Sequence, residues 1–234
     1  MINKLFSGLT GSKKRQQTFD DPALNLNSES FEVNNWIISD MVINKLVPVV
    51  GFHPFPLNEL MLMTATVCRF KPELIFEWGT NIGKSARIFY EITKAFNYKS
   101  EIHSIDLPDD VFHNEHPQQN RGILVKDIPE VILHQADGLE CSLGLIKQKK
   151  PKGHVLFFVD GDHSYETVKN ELHTILSNVP NAIVLLHDTF YQSENSGYNI
   201  GPYKAVKEIL ENTKVKYKII STNMGLPGMS LVYK

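Results

Sequence analysis

Cysteine is scarce in this chain. Cys68 and Cys141 are the two among 234 residues, too few and too isolated for a disulfide framework or a thiolate-bound metal. Long hydrophobic runs are missing as well. No stretch approaches the roughly 18 apolar residues of a membrane-spanning helix, so no membrane partner is expected. Leu5-Phe6 precedes Lys13-Lys14-Arg15, the reverse of the basic-then-apolar order of a secretory signal. Nor is there an excess of one charge. Lys and Arg total 24 against 26 Asp and Glu, a net charge of −2, which gives no general attraction for nucleic acid. A soluble, cytoplasmic protein is the expectation. What is present is an ordinary globular composition, 42% apolar and 21% charged, on a length that suits one α/β domain with a modest N-terminal addition. Internal repeats and low-complexity tracts do not occur.

Residues 1–30 are polar, without sustained periodicity, and are expected to form a mobile or loosely docked arm. Residues 31–71 are expected to form a helical extension or lid. In it Trp36, Ile37, Met41, Val42 and Leu46 recur at helical spacing, Pro48 to Pro56 form a break, and a helix runs from about Asn58 to Phe70. The first of these helices packs either on its own domain or on a second subunit, so a homo-oligomer stays open. From 72 to 234 strand and helix signals alternate. Strands are expected at 74–77, 102–105, 131–135, 155–159 and 182–186, and helices near 84–96, 164–178 and 202–212. Lys216–Ser221 and Ser230–Tyr233 flank Gly-Leu-Pro-Gly and read as a closing hairpin. The fold class is therefore α/β: a Rossmann-like, doubly wound, mostly parallel seven-stranded sheet ending in an antiparallel hairpin.

Leu74-Ile75-Phe76-Glu77-Trp78-Gly79-Thr80-Asn81-Ile82-Gly83-Lys84-Ser85 reads as a buried strand, an acid, a glycine turn and a helix start. The phosphate loop G-x-x-x-x-G-K-S/T does not fit, since only three residues separate Gly79 from Gly83. The dinucleotide fingerprint fails as well, because Asn81 and Lys84 hold its later glycine positions. An acid ending the first strand suits a cofactor carrying positive charge better than one carrying phosphate, and S-adenosylmethionine answers that description. Glu77, Gly79, Thr80, Gly83 and Ser85 are its candidate cradle. Asp106, at the end of the second strand, is placed to accept ribose hydroxyls. Asp137-Gly138, after the third, either meets the adenine amino group or forms an ordinary turn.

A second cluster is Asp160-Gly161-Asp162-His163-Ser164-Tyr165, partnered by His187-Asp188-Thr189. Asp160 and Asp188 each end an apolar strand. Adjacent strands lie about 4.8 Å apart, so these carboxylates converge, and a divalent cation, Mg²⁺ or Mn²⁺, would relieve their repulsion. His187 is the candidate third ligand, and Asp160 also borders the cofactor site. His163 is the candidate general base, with Asp162 or Ser164 capping the helix that follows. His113 and His116 fall in a polar loop, 108–122, and Tyr198 and Asn199 in a lid-like loop, 190–202; both loops are candidate walls of an acceptor pocket.

Over residues 50–234 the chain resembles class I S-adenosylmethionine-dependent methyltransferases. Within them it is similar to the group of cephalosporin hydroxylase-like, rhamnosyl and macrocin O-methyltransferases. The likeness is carried by Glu77-Trp78-Gly79-Thr80, Asp160 to Tyr165 and His187-Asp188-Thr189. It implies a metal held by Asp160, His187 and Asp188, His163 as base, and a small-molecule hydroxyl, sugar or natural-product-like, as acceptor. Two departures bear on the metal: His187 stands where related enzymes usually have glutamate, and Thr189 where catechol-type relatives have asparagine. A metal-independent methyltransferase acting on another acceptor atom and a non-catalytic S-adenosylmethionine-binding module are the alternatives.

Overall fold

The computed structural model describes residues 19–111, 120–198 and 200–234. A single sheet of seven strands organises them. In chain order these are β1 Leu74–Trp78, β2 Glu101–Asp106, β3 Val131–Gln135, β4 Val155–Val159, β5 Ala182–His187, β6 Lys218–Ser221 and β7 Met229–Tyr233, arranged β3-β2-β1-β4-β5-β7-β6. The first five run parallel, and β7 is antiparallel to both β5 and β6. β1, β4, β5 and β7 are buried along their whole length. That is why they read as continuous apolar runs rather than alternating ones.

The two-residue period of a strand divides the core into two layers. Ile75, Leu156, Phe158, Ile183 and Leu185 face one layer, beneath α1 Asn35–Met41, α3 Leu57–Phe70 and α4 Lys84–Phe96. Leu74, Phe76, Trp78, Phe157 and Val184 face the other, beneath α5 Gly138–Lys149, α6 Tyr165–Asn178 and α7 Ile200–Asn212. The same period decides which way the polar strand ends point. Glu77 lies on the α4 side and Trp78 on the α5 side. Asp160 and His187 follow Phe158 and Leu185 toward α3.

Three elements differ from expectation. The helix begun by α1 continues through a π-helical turn, Val42–Leu46, into α2, Val47–Val50, so Pro48 lies inside it. Proline lacks a donor, and the π turn has already interrupted the regular ladder there. The chain breaks instead at Gly51 (φ 70°). α5 has no counterpart among the expected helices, because Gly138 and Gly144 dilute its pattern; Asp137 caps it by accepting from the Glu140 amide. Trp36, counted on the apolar face of the first helix, is 87% exposed, while Ile38, Met41, Val42 and Leu46 are buried.

Of the arm expected over 1–30, residues 19–30 are fastened to the domain. Arg69 donates to the carbonyls of Asn25 and Leu26, both at 3.1 Å, Lys71 pairs with Asp21, and Phe19 packs on Phe96.

Candidate active site

The parallel strands all end along one rim, with Gln135, Asp106, Trp78, Val159 and His187 at their tips. A cavity of about 640 Å³ opens there, the position that open α/β sheets reserve for ligands. Gly79, Thr80, Ser85, Asp106, Asp137, Gly138, Asp160, His163, His187 and Asp188 all line it, whereas Glu77 and Gly83 do not.

Glu77 is fully buried and supports the glycine loop from beneath. The Ser85 hydroxyl donates to its Oε1, and Oε2 has no hydrogen-bond partner. Burial pushes its carboxyl up to about 7, against the opposing pull of hydroxyls on Ser104 and Ser85. Gly83 closes the turn with its amide on the Thr80 carbonyl, 2.6 Å, and Thr80 shares a 2.7 Å hydroxyl contact with Ser104. Gly79 is required by contact as well as conformation. Its φ is +88°, and a Cβ there would sit 2.5 Å from the Asp160 carbonyl oxygen. The loop thus crosses directly over the tip of β4, bringing the first motif against the second.

Asp106 accepts from the amides of Leu107 at 2.9 Å and Asn81 at 3.2 Å, with the Arg121 guanidinium 3.4 Å away. Asp137 both caps α5 and stands on the cavity wall. Gly138 lies flat against the Trp78 indole, where a Cβ would come within 2.7 Å of the ring. The indole Nε1 donates to Ser142, 2.9 Å.

The second cluster converges. Ligand atoms of Asp160, His187 and Asp188 all lie within 4.8 Å of one another. His187 Nδ1 is 2.9 Å from Asp160 Oδ1 and 3.4 Å from Asp188 Oδ2. Asp188 adopts φ 56°, a left-handed conformation that aspartate tolerates, and this turn follows directly on β5. His163 Nε2 stands 2.9 Å from Asp188 and 3.7 Å from Asp160. Tyr198 in the lid-like loop donates its hydroxyl to Asp188. Burial alone would lower the His163 pKa, but its contacts with Asp160 and Asp188 push it up to about 10. His187 is likewise raised, against burial, chiefly by Asp160. Both aspartates are held low despite burial, Asp160 chiefly by His187 and Asp188 chiefly by its contact with His163. Ser164 is the N-cap of α6, and Asp162 accepts from the Ser164 amide and the Thr167 hydroxyl.

Two acids in this region escaped the sequence reading. Glu59 on α3 is wholly buried; its Oε2 meets His187 Nε2 at 3.0 Å, and its Oε1 accepts from the Gly228 amide at 2.8 Å. The signal was available, since Glu59 is the one carboxylate of α3 and residues 57–68 are otherwise apolar or neutral. Glu171 on α6 lines the cavity with Oε2 unpartnered, and burial pushes its carboxyl up to about 8. Nothing in its local sequence distinguishes it from a solvated helix residue. His113, His116 and Asn199 lie outside the described residues.

The donor set fits a divalent cation. Glu59 accepts from Nε2–H of His187, which leaves Nδ1 facing the two aspartates, the arrangement by which an outer carboxylate orients a ligating histidine.

No curated protein matches the chain. Among solved structures, an O-methyltransferase from Bacillus cereus in complex with SAH aligns at 15% identity. It covers 84% of this chain and 90% of that one, with a TM-score of 0.53. The SAH-bound methyltransferase PaMTH1 of Podospora anserina aligns at 18% identity over 75% and 77%, TM-score 0.50. The calicheamicin methyltransferase CalS11 aligns at 16% over 83% and 85%, TM-score 0.51. These likenesses establish the fold. Residues 55–224 match the rhamnosyl O-methyltransferase/CmcI family. With the glycine loop, the Asp-His-Asp cluster and all of the cavity lining but His53 and Pro54 inside that span, the chain belongs to the rhamnosyl O-methyltransferase/CmcI family of S-adenosylmethionine-dependent methyltransferases.

Proposed function

We propose that this protein methylates a hydroxyl of a small sugar-like or natural-product-like molecule, with a divalent cation at Asp160, His187 and Asp188. The observation that carries the reading is the meeting of His163 with these three residues at the cavity wall, beside the glycine loop. S-adenosylmethionine, when bound, supplies an electrophilic methyl on a positively charged sulfur. A divalent cation, when bound, supplies a Lewis acid for the acceptor oxygen. The rest falls to the chain. Asp106 receives the ribose hydroxyls and Asp137 the adenine amino group, while Gly79 admits the ligand to the backbone. Glu77, beneath the loop, holds Ser85 in place. Glu59 holds the His187 ring. Asp160 and Asp188 keep His163 protonated. With those carboxylates engaged as ligands, His163 would release that proton to solvent, and its Nε2 would then accept the acceptor's hydroxyl proton. Positioning of this kind supplies up to about 7–11 kcal/mol of barrier reduction, which suits a transfer needing no covalent intermediate.

A second reading has its own observation. His187 has carboxylates at both ring nitrogens, so imidazolium charges there and on His163 offset much of the acidic cluster without a metal, as a metal-independent enzyme requires. Methyl transfer from labelled S-adenosylmethionine to a panel of sugar and phenol hydroxyls, with Mg²⁺ and with EDTA, separates the two. We expect turnover with Mg²⁺, a fall of at least 100-fold with EDTA, and a similar fall in His163→Ala. Full activity in EDTA would establish the metal-independent reading. Tight SAH binding with no turnover on any acceptor would leave a binding module.

A further inference from the structure

The cavity is lined by six acids, Asp106, Asp137, Asp160, Asp162, Glu171 and Asp188, and by a single lysine or arginine among the described residues, Lys84. S-adenosylmethionine has a matching asymmetry. It carries two cationic groups, the sulfonium and the α-ammonium, and one anion, the α-carboxylate. Most of the wall suits the cations, and the carboxylate needs a partner. Backbone amides and hydroxyls can solvate it, and Lys84 brings an opposite charge that, unlike those on His163 and His187, is not already paired with the aspartates.

The sheet order says where that carboxylate falls. With adenine at Asp137 beyond β3 and ribose at Asp106 beyond β2, the ligand runs along the rim β3-β2-β1. Its amino-acid end then arrives at β1 and the first turn of α4, which begins at Lys84. The partly exposed Lys84 side chain reaches the His53–Phe55 wall of the cavity, where its ammonium donates to the His53 carbonyl. An ammonium has three hydrogens to donate, and this neutral contact engages one. The glycine loop brings Thr80 to the same cavity, and its hydroxyl, 2.7 Å from that of Ser104, can turn its proton toward a bound carboxylate.

We infer that Lys84 is the charged partner of the cofactor's α-carboxylate, a specificity-determining residue that favours the amino-acid-bearing nucleoside over truncated ones. The assignment rests on the S-adenosylmethionine reading of the cavity. It also gives the acidic rim a division of labour: carboxylates receive the adenosine and surround the sulfonium, and one lysine anchors the far end.

Calorimetric titration of the full chain tests it with two probes, S-adenosylhomocysteine and its decarboxylated analogue S-adenosyl-3-thiopropylamine. The analogue keeps the adenosine, the thioether and the amine. We expect Lys84→Met to weaken S-adenosylhomocysteine by 10- to 100-fold and the analogue by less than threefold, with Lys84→Arg restoring most of the loss. Equal weakening of both probes would make Lys84 a tether for the His53 loop and overturn the assignment. Unchanged S-adenosylhomocysteine affinity would overturn it too. Wild-type protein that binds neither probe would instead overturn the cofactor reading, and this assignment with it. Circular dichroism of Lys84→Met, a partly exposed position on a first helical turn, separates misfolding from lost binding.

Discussion

Glu77 shows how one side chain ties folding to the site. Its carboxyl is raised to about 7 because it is fully buried, so between its ordinary range and pH 7 the folded chain holds a proton that the unfolded chain has released. The sign follows from linkage. For this group stability is fullest below the unfolded pKa and declines as pH rises through about 7. Replacing it with neutral Gln removes that decline. Glu77→Gln should gain on wild type by about 2–3 kcal/mol between pH 5 and pH 8, read from urea unfolding at both values. A constant difference across that range would mean the carboxyl ionises normally. Other buried groups carry their own slopes, His103 in the opposite direction because burial lowers it to about 4, so the comparison between variant and wild type is the informative one.

The contact between α6 and α7 sets the position of His163. Gly201 lies in the first turn of α7 against the turn leading into α6, and a Cβ there would approach the His163 carbonyl oxygen to 2.3 Å and the Tyr165 amide to 2.7 Å. No flexible side-chain tip is available to yield; both contacts are backbone. Gly201→Ala must therefore part the two helices and shift the segment carrying His163. Overpacking of this kind costs about 1–3 kcal/mol. A displacement near 1 Å costs on the order of 100-fold in rate. The expected result is a 10- to 100-fold lower kcat with SAH affinity within threefold of wild type, because Asp106 and the glycine loop lie on other elements. An equal loss of SAH binding would show that α7 supports the cofactor wall as well.

Across the whole molecule, the N-terminal segment shares the core of the sheet. Ile38, Met41, Leu46 and Phe55 belong to one buried cluster with Ile75, Phe158 and Leu185. Phe55 packs edge-on to the His187 ring at 4.8 Å between centroids, and Glu59 binds that ring's Nε2. A lid hinged on residues 31–71 would have to break these contacts in order to open. We therefore expect one cooperative unfolding transition. SAH at 100 times its Kd should move it as a unit, adding about 2.7 kcal/mol, or about 5–10 °C in midpoint for a chain of this size. Two transitions, with only the later one responding to SAH, would make the extension an independent unit.

The parallel core strands, the glycine loop and the Asp160, His163 and Asp188 cluster were all legible in the linear chain. Each depends on neighbours close in sequence: apolar runs between turns, a glycine spacing, an acid at a strand end. Strand period and parallel pairing then require that such ends meet at one rim. The helix through Pro48 was hidden because a π turn, not the residue type, makes proline tolerable there. α5 was hidden by its glycines, one of which packs on Trp78. Glu59 lies 128 positions from His187 and reaches it only because α3 folds over the β4–β5 rim. The raised carboxyls of Glu77 and Glu171, the exposure of Trp36 and the single lysine among six acids on the cavity wall are likewise properties of place. Local pattern determined which elements form and which chemistry they carry. Packing alone decided which charges share a dry space, because burial and long-range contact have no counterpart in the order of residues.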